Sequence, residues 1–194
     1  GDKDYDLLDG QVTFLPGDVL KTITIPIVDD VLDEVDESMI LTLSVPVNST
    51  LGAPVSTTFT IQDNDDPSKV SFQLTTSSYN ENAAGTTIAV GLDKSSAVIV
   101  QANLVITGSA RNSDPDKDHD LIDQTITFNP GVTLLNIPIN INDDILSELT
   151  EEAVVTLTSP VGGVLGTDAV HTLSIFDNDG APEVTFGSVG ATYS

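Results

Sequence analysis

The chain repeats itself at a fixed spacing of 114 residues. Asp2-Lys3-Asp4 returns as Asp116-Lys117-Asp118, and Phe14-Leu15-Pro16-Gly17 as Phe128-Asn129-Pro130-Gly131. Asp29-Asp30 returns as Asp143-Asp144 (144 less 30 is 114), and Asp63-Asn64-Asp65 as Asp177-Asn178-Asp179. The match runs on through Val70-Ser71-Phe72 with Val184-Thr185-Phe186, and Tyr79 with Tyr193. About 33 of the 79 aligned pairs from Asp2 onward are identical without a gap, which chance does not produce. A chain that repeats in phase over this length folds as copies of one module. The phase sets the expected boundaries: the back part of one domain over 1–66, a complete domain over 67–180, and the first strand of a further domain over 181–194. The expected context is a longer array seen through a window. The alternative is a filament assembled by strand exchange, with 183–194 completing the partial domain of a neighbouring chain.

Within each copy the apolar residues alternate with polar ones, the period of a half-buried strand, and no helical stripe is present. Leu135-Asn136-Ile137-Pro138-Ile139-Asn140-Ile141 shows the pattern, as do Val155-Thr156-Leu157 and Thr22-Ile23-Thr24-Ile25-Pro26-Ile27. Ile23, Ile25 and Ile27 are expected to face a core. Pro26 and Pro138 each remove a ladder donor, which places their strand at a sheet edge or on a bulge. Seven strands are expected near 69–79, 86–93, 98–107, 121–128, 133–141, 152–159 and 170–176. Turn signals separate them, among them Ala84-Gly85, Asn129-Pro130-Gly131 and Gly162-Gly163. Seven short strands in one module predict an all-β fold of tandem immunoglobulin-like antiparallel sandwiches.

Six Lys and Arg against 30 Asp and Glu give a net charge of −24, which repels nucleic acid and anionic membrane surfaces alike. A hydrophobic fraction of 39% still fills a core, so the charge does not signal disorder. The acids gather at turns instead: Asp118 and Asp120 before one strand, Asp143-Asp144 after another, Glu148 and Glu151 beyond, and Asp177 and Asp179 last. With Glu81 from the first loop they are expected at one pole of the sandwich. Converging carboxylates repel one another and raise each other's pKa. A hard cation such as Ca²⁺, which takes about 6–8 oxygen ligands, relieves that cost. A single acidic turn residue is ordinarily a turn former. A whole set kept in phase across the repeat points to metal.

Other chemistries lack their parts. Asp114-Pro115-Asp116-Lys117-Asp118-His119 imitates the start of an EF-hand loop, but His119 stands where glycine is required and Thr125 where glutamate is. With no cysteine, disulfides, thiolate metal sites and thiol nucleophiles are excluded. The two histidines, His119 and His171, face Tyr5 and Thr57 in the other copy. No nucleophile elbow or phosphate loop is present. A glycosidase cleft is ordinarily lined with aromatics, and here tryptophan is absent, so no enzyme is expected. No apolar run approaches 18 residues, and no membrane insertion of this segment is expected. Few Lys and Arg beside much Thr, Ser, Asn and Gly suit an exported bacterial surface protein. The sequon Asn48-Ser49-Thr50 has no counterpart, since Gly162-Gly163-Val164 stands in its place, and is read as incidental.

In order and spacing these elements resemble the Calx-beta domain, the calcium-binding module of sodium–calcium exchangers and extracellular adhesion proteins. The resemblance rests on Asp118-His119 (Asp4-Tyr5 in the other copy), Phe128-Asn129-Pro130-Gly131, and Ile141-Asn142-Asp143-Asp144 with Glu148 and Glu151. Leu157-Thr158-Ser159-Pro160 and Ile175-Phe176-Asp177-Asn178-Asp179 complete it. It implies calcium at one end of an antiparallel sandwich, held by Glu81, Asp118, Asp143, Asp144, Glu148, Glu151, Asp177 and Asp179. In the first copy it implies Asp4, Asp29, Asp30, Glu34, Glu37, Asp63 and Asp65. Asn64 and Asn178 stand where some calcium-binding members carry a third aspartate, which lowers the charge of each site. The first copy has no counterpart of Glu81. The implied role is a calcium-stabilised structural or adhesive repeat outside the cell or on its surface. Its partners would be neighbouring repeats, further copies of itself or a cell-surface ligand. The alternative is a regulatory calcium sensor on a membrane transporter or receptor.

Overall fold

A computed structural model describes residues 3–113 and 117–186. The start of the EF-hand-like run (114–116), Tyr193 and most of the expected terminal strand lie outside the described residues; 181–186 carry no strand pairing. The chain divides into two compact units that part between Asp66 and Pro67.

The second unit is a two-sheet sandwich. Its strands are β3 (Lys69–Phe72), β4 (Thr76–Asn80), β5 (Thr86–Leu92), β6 (Val100–Gly108), β7 (Gln124–Phe128), β8 (Leu134–Ile139), β9 (Glu151–Val161), β10 (Val164–Leu165) and β11 (Val170–Phe176). One sheet runs β10-β3-β5-β8 and the other β4-β11-β9-β6-β7. Most pairs are antiparallel, but β10 with β3 and β11 with β4 are parallel. Alternate residues meet between the sheets: Val70, Phe72, Val90 and Ile139 from one, and Val100, Leu104, Phe128, Val155, Leu157 and Leu173 from the other, all nearly inaccessible. Burying a side chain as large as Phe128 contributes about 3 kcal/mol.

Two features depart from the seven expected strands. The run 69–79 does not stay in one sheet; it crosses from the first to the second at Gln73-Leu74-Thr75. Gln73 N donates to Ala89 O (2.9 Å), while Thr172 N donates to Thr75 O (2.9 Å), so the backbone changes partners within three residues. His171 fastens the crossing. Its Nδ1 donates to Leu74 O (2.6 Å), which leaves Nε2 to accept from the Ser77 hydroxyl (2.8 Å), and its ring lies 5.6 Å from Phe72. The second departure is β10, a short pairing opened by the turn at Gly162, whose φ is 66°. Pro138 does sit on an edge strand, since β8 closes its sheet. Pro160 follows Ser159 (φ 48°) on β9, where the register against β6 slips by one residue, a bulge that spares the missing donor.

The first unit has one described sheet, β1 (Glu37–Thr42) against β2 (Ser56–Ile61). Its register pairs Glu37 with Ile61, as Glu151 pairs with Ile175 in the second unit. The left-handed positions also repeat in phase: Gly17 with Gly131, Val45 with Ser159, and Asn48 with Gly162. Asn48 has φ 56°, and asparagine is among the few non-glycine residues that adopt this conformation readily. This accounts for the asparagine of the sequon in conformational terms. The expectation that Ile23, Ile25 and Ile27 face a core fails here. Ile23 and Ile27 are exposed and only Ile25 is half-buried, because no second sheet covers them among the described residues. Ile137 and Ile139, the counterparts of Ile23 and Ile25, are buried between two sheets, and Ile141, the counterpart of Ile27, is half-buried.

Candidate metal centre

Strand ends carry the acids to one end of the second unit. Glu81 follows β4 directly and its N donates to Phe176 O (3.0 Å), so it lies beside the end of β11. Asp177 and Asp179 follow β11, and Glu151 opens β9, which runs antiparallel to it. Asp118 is tied down by its own backbone: its N donates to Arg111 O (2.8 Å), its Oδ2 accepts from Arg111 N, and its O accepts from Asn142 N (2.9 Å).

The carboxyls form two groups, not one. Glu81, Asp177 and Asp179 bring ligand atoms within 4.8 Å of one another, and Asp118, Glu148 and Glu151 do the same. A backbone bond links them: Glu148 N donates to Asp177 Oδ2 (3.0 Å). Asp143 and Asp144 join neither group. Asp143 is exposed and accepts from Asn178 Nδ2 (3.2 Å), while Asp144 turns back to accept from Leu146 N (2.7 Å).

The two groups are electrostatically expensive. Burial pushes the Glu81 carboxyl up to about 7, with Asp179 and Asp177 adding to the rise against an opposing bond from Asn178 N. Burial likewise pushes Glu151 up to about 7, helped by its contact with Asp118 and by Glu148, with Arg111 offsetting part. Asp177 moves the other way, held low by bonds from Asp179 N and Glu148 N. Asp179 Oδ2 is buried and receives no hydrogen bond. An ionised oxygen in that position lacks the donors that normally compensate burial. A cation would supply the missing positive charge, and oxygen-only donors suit a hard one.

The first unit rebuilds part of this arrangement. Asp4, Asp29, Asp30, Glu34, Glu37, Asp63 and Asp65 all line one cavity of about 60 Å³. The local bonds return at the repeat spacing: Asn64 Nδ2 to Asp29 (3.2 Å), Leu32 N to Asp30 (2.7 Å) and Asp65 N to Asp63 (3.4 Å). Glu37 is raised by its contact with Asp4, as Glu151 is by Asp118. Among the described residues, however, carboxyl oxygens close to within 4.8 Å in threes only in the second unit. Asp29, Asp30 and Glu37 remain exposed, while Asp63 and Asp65 are half-buried like Asp177 and Asp179.

Sequence reasoning missed the contacts that the non-acidic residues make at the site. Asn178 bridges Asp143 and Glu81, donating to the second through its backbone N at 3.5 Å. Its signal was the repeated Asp-Asn-Asp itself. Arg111 left none, because it falls where only one copy of the repeat is visible. His119 is buried beside Asp118; its Nδ1 accepts from Leu121 N (3.2 Å), Nε2 has no hydrogen-bond partner, and burial lowers its pKa.

The Calx-beta domain family matches residues 1–65 and again 63–179. The chain is 31% identical over 170 residues to adhesion G-protein coupled receptor V1 of Danio rerio, covering 84% of this chain and 3% of that protein. It is 30% identical over 197 residues to extracellular matrix protein 3 of Lytechinus variegatus, covering 95% and 6%. A third relative is extracellular matrix organizing protein FRAS1 of Mus musculus, 27% identical over 205 residues, covering 100% and 5%. The chain thus spans only a small fraction of each relative. The crystal structure of the apo-form Calx CBD1 domain superposes with a TM-score of 0.52 at 20% identity, over 59% of this chain and 100% of that one. The calcium binding domain CBD12 of CALX1.1 gives 0.51 at 21% identity, over 57% and 45%. These two likenesses establish the fold.

Proposed function

Because this chain belongs to the Calx-beta family, we propose that it is a calcium-stabilised structural segment of a large extracellular or cell-surface protein, without catalytic activity of its own. The observation that carries the reading is the pair of carboxyl triads at one end of the second unit, one holding a buried Asp179 oxygen with no donor. Glu81, Asp177 and Asp179 would hold one ion, and Asp118, Glu148 and Glu151 another. Asp143 and Asp144 stand close enough in sequence to complete the shells once their present bonds to Asn178 N–H and Leu146 N–H are exchanged. In the first unit the seven cavity-lining acids would form a looser site. The adhesion-receptor and matrix relatives support placing the segment outside the cell, in an array with neighbouring repeats.

The ion would neutralise charge that otherwise opposes folding and lock the ends of β4, β9 and β11 together. Extracellular calcium modules bind at roughly 10⁻⁴–10⁻³ M, which gives lasting occupancy outside a cell. Calorimetric titration of chelator-treated protein tests the reading. Saturable calcium binding in that range with a rise in melting temperature is the expected result. Submicromolar affinity would favour a regulatory sensor instead, and an unchanged melting curve at millimolar calcium would overturn both.

A further inference from the structure

We propose that the outer face of the five-stranded sheet is a self-association surface, on which a second copy of this chain stacks face to face. The face belongs wholly to the second unit, whose strands β4, β11, β9, β6 and β7 build it in that order. On these strands the residues that alternate with the core point outward, and Glu152 is the one charged residue among them. Surfaces of soluble domains typically carry roughly 25–35% charged residues. In a chain with a net charge of −24, the acids are confined to turns and strand ends and this wall is left neutral.

The first copy repeats the choice. In the register that pairs Val154 with Thr172, the first copy pairs Ile40 with Thr58, and it carries Ser38 in place of Glu152. Neutrality therefore returns at the repeat spacing at positions where no core packing demands it.

The wall is also stiff and self-complementary. Thr125 Oγ1 donates to Asn103 Oδ1 (2.8 Å), and Gln101 Nε2 donates to Thr127 Oγ1 (3.0 Å), so side chains on β6 and β7 are already held in place. Threonine and valine are stiff at χ1, and docking such residues costs little freedom. A hydroxyl both donates and accepts, so two copies of the wall satisfy one another. A charged partner would bury its charge opposite no counter-charge. Five strands about 4.8 Å apart, with three outward residues at about 6.7 Å spacing, make a wall of roughly 24 by 20 Å. Two such walls bury about 1,000 Å², the threshold of a specific interface, so the association is weak and concentration-dependent. Thr156 lies at the midpoint of β9, the central strand. A two-fold axis there sets the Glu152 end of one copy over the Thr158 end of the other, which keeps the acidic poles apart.

Sedimentation equilibrium of the full chain, in millimolar calcium and about 0.15 M salt, tests the proposal. The mass should rise toward that of a dimer as the concentration approaches about 1 mM. Thr156→Asp and Thr156→Lys, each checked for folding by circular dichroism, should each remain monomeric, because a like charge meets itself near the axis. Mixing the two variants should restore the dimer, with association about tenfold stronger than in either alone. The same two substitutions at Asn136, exposed on β8 of the opposite sheet, should leave self-association unchanged. The wall holds none of the triad carboxyls, so a chain that binds no calcium still tests it. A monomer at every concentration would leave the wall to a different neutral partner and overturn the proposal. Unchanged association in both Thr156 variants, no recovery in their mixture, or an equal loss at Asn136 would each do the same.

Discussion

Glu151 holds its carboxyl within hydrogen-bond reach of Asp118, and 114 residues earlier Glu37 meets Asp4 in the same way. Two acids in such contact cannot both ionise without cost. Each pair therefore favours holding a proton or taking up a cation, the more buried Glu151 pair to a greater degree than the exposed Glu37 pair.

The first consequence is a pH dependence of ion-free stability. Glu81 and Glu151 both titrate near 7 in the folded chain, above an ordinary value of 4.5. Folded protein therefore retains protons that unfolded protein has released. Stability is unaffected below about pH 4.5, falls as pH rises through 7, and stays reduced above it. For Glu81, which is 5% exposed, the loss is on the order of 3 kcal/mol. In chelator, the melting temperature of the second unit should be lower at pH 8 than at pH 5.5. Millimolar calcium should erase that difference. A flat profile in chelator would show that the triads are not strained.

Substituting Glu151→Gln should have opposite effects with and without calcium. It removes the charge that Asp118 and Glu148 oppose, so the ion-free chain at pH 8 should melt several degrees higher. It also removes a charged ligand, so the stabilisation gained on adding calcium should shrink. Thermal scans with chelator and with calcium measure both. A variant destabilised in both conditions would assign Glu151 to packing alone.

Asn178 separates charge from hydrogen bonding. Asn178→Asp deletes the donor to Asp143 and adds a sixth acid beside Asp143, Asp177, Asp179, Glu81 and Glu148. Ion-free stability should fall by about 1 kcal/mol, while calcium affinity should rise. Denaturant unfolding and calorimetric titration give the two numbers. Weaker calcium binding would place the Asn178 amide itself in the coordination shell.

Matched phenylalanines test the unequal cores. Phe128 is fully buried in the second unit, and its counterpart Phe14 is 56% exposed in the first. Phe128→Ala should cost about 3–5 kcal/mol and Phe14→Ala no more than about 0.5 kcal/mol. Denaturant curves of the two variants decide it. Equal losses would mean that the first unit is packed by something besides its own strands.

Much of this was legible in the sequence because alternation and repetition report on different things. Ala153, Val155 and Leu157 alternate with polar residues, which gives the strand and its inward face directly. The in-phase acids pointed to the end of the unit where the two carboxyl triads gather. The split of 69–79 between two sheets left only a faint trace, a slip of one residue in the alternation: Val70 and Phe72 turn inward on one sheet, Ser77 and Tyr79 on the other. Periodicity is blind to a change of hydrogen-bond partner. The division of the acids into two triads was hidden for a similar reason: it depends on which carboxyls meet in space, as Glu81 does with Asp177 and Asp179 from far along the chain. Ile23 and Ile27 carried the pattern of a core strand, yet among the described residues no second sheet covers them.

The parallel pairing of β4 with β11 also determines how the second unit bears tension. Five residue pairs, from Thr172 with Thr76 to Phe176 with Asn80, lie side by side with both strands pointing the same way. A pull on the chain before β3 and after β11 drags these strands past each other lengthwise. Their hydrogen bonds then share the load at once and do not open one after another like a zipper. The Ser77–His171 bond spans the same pair of strands and resists the same slide. Force spectroscopy should record one sharp, high rupture for this unit, with Ser77→Ala lowering it. The strand crossing thus builds a shear clamp out of the first and last stretches of the unit.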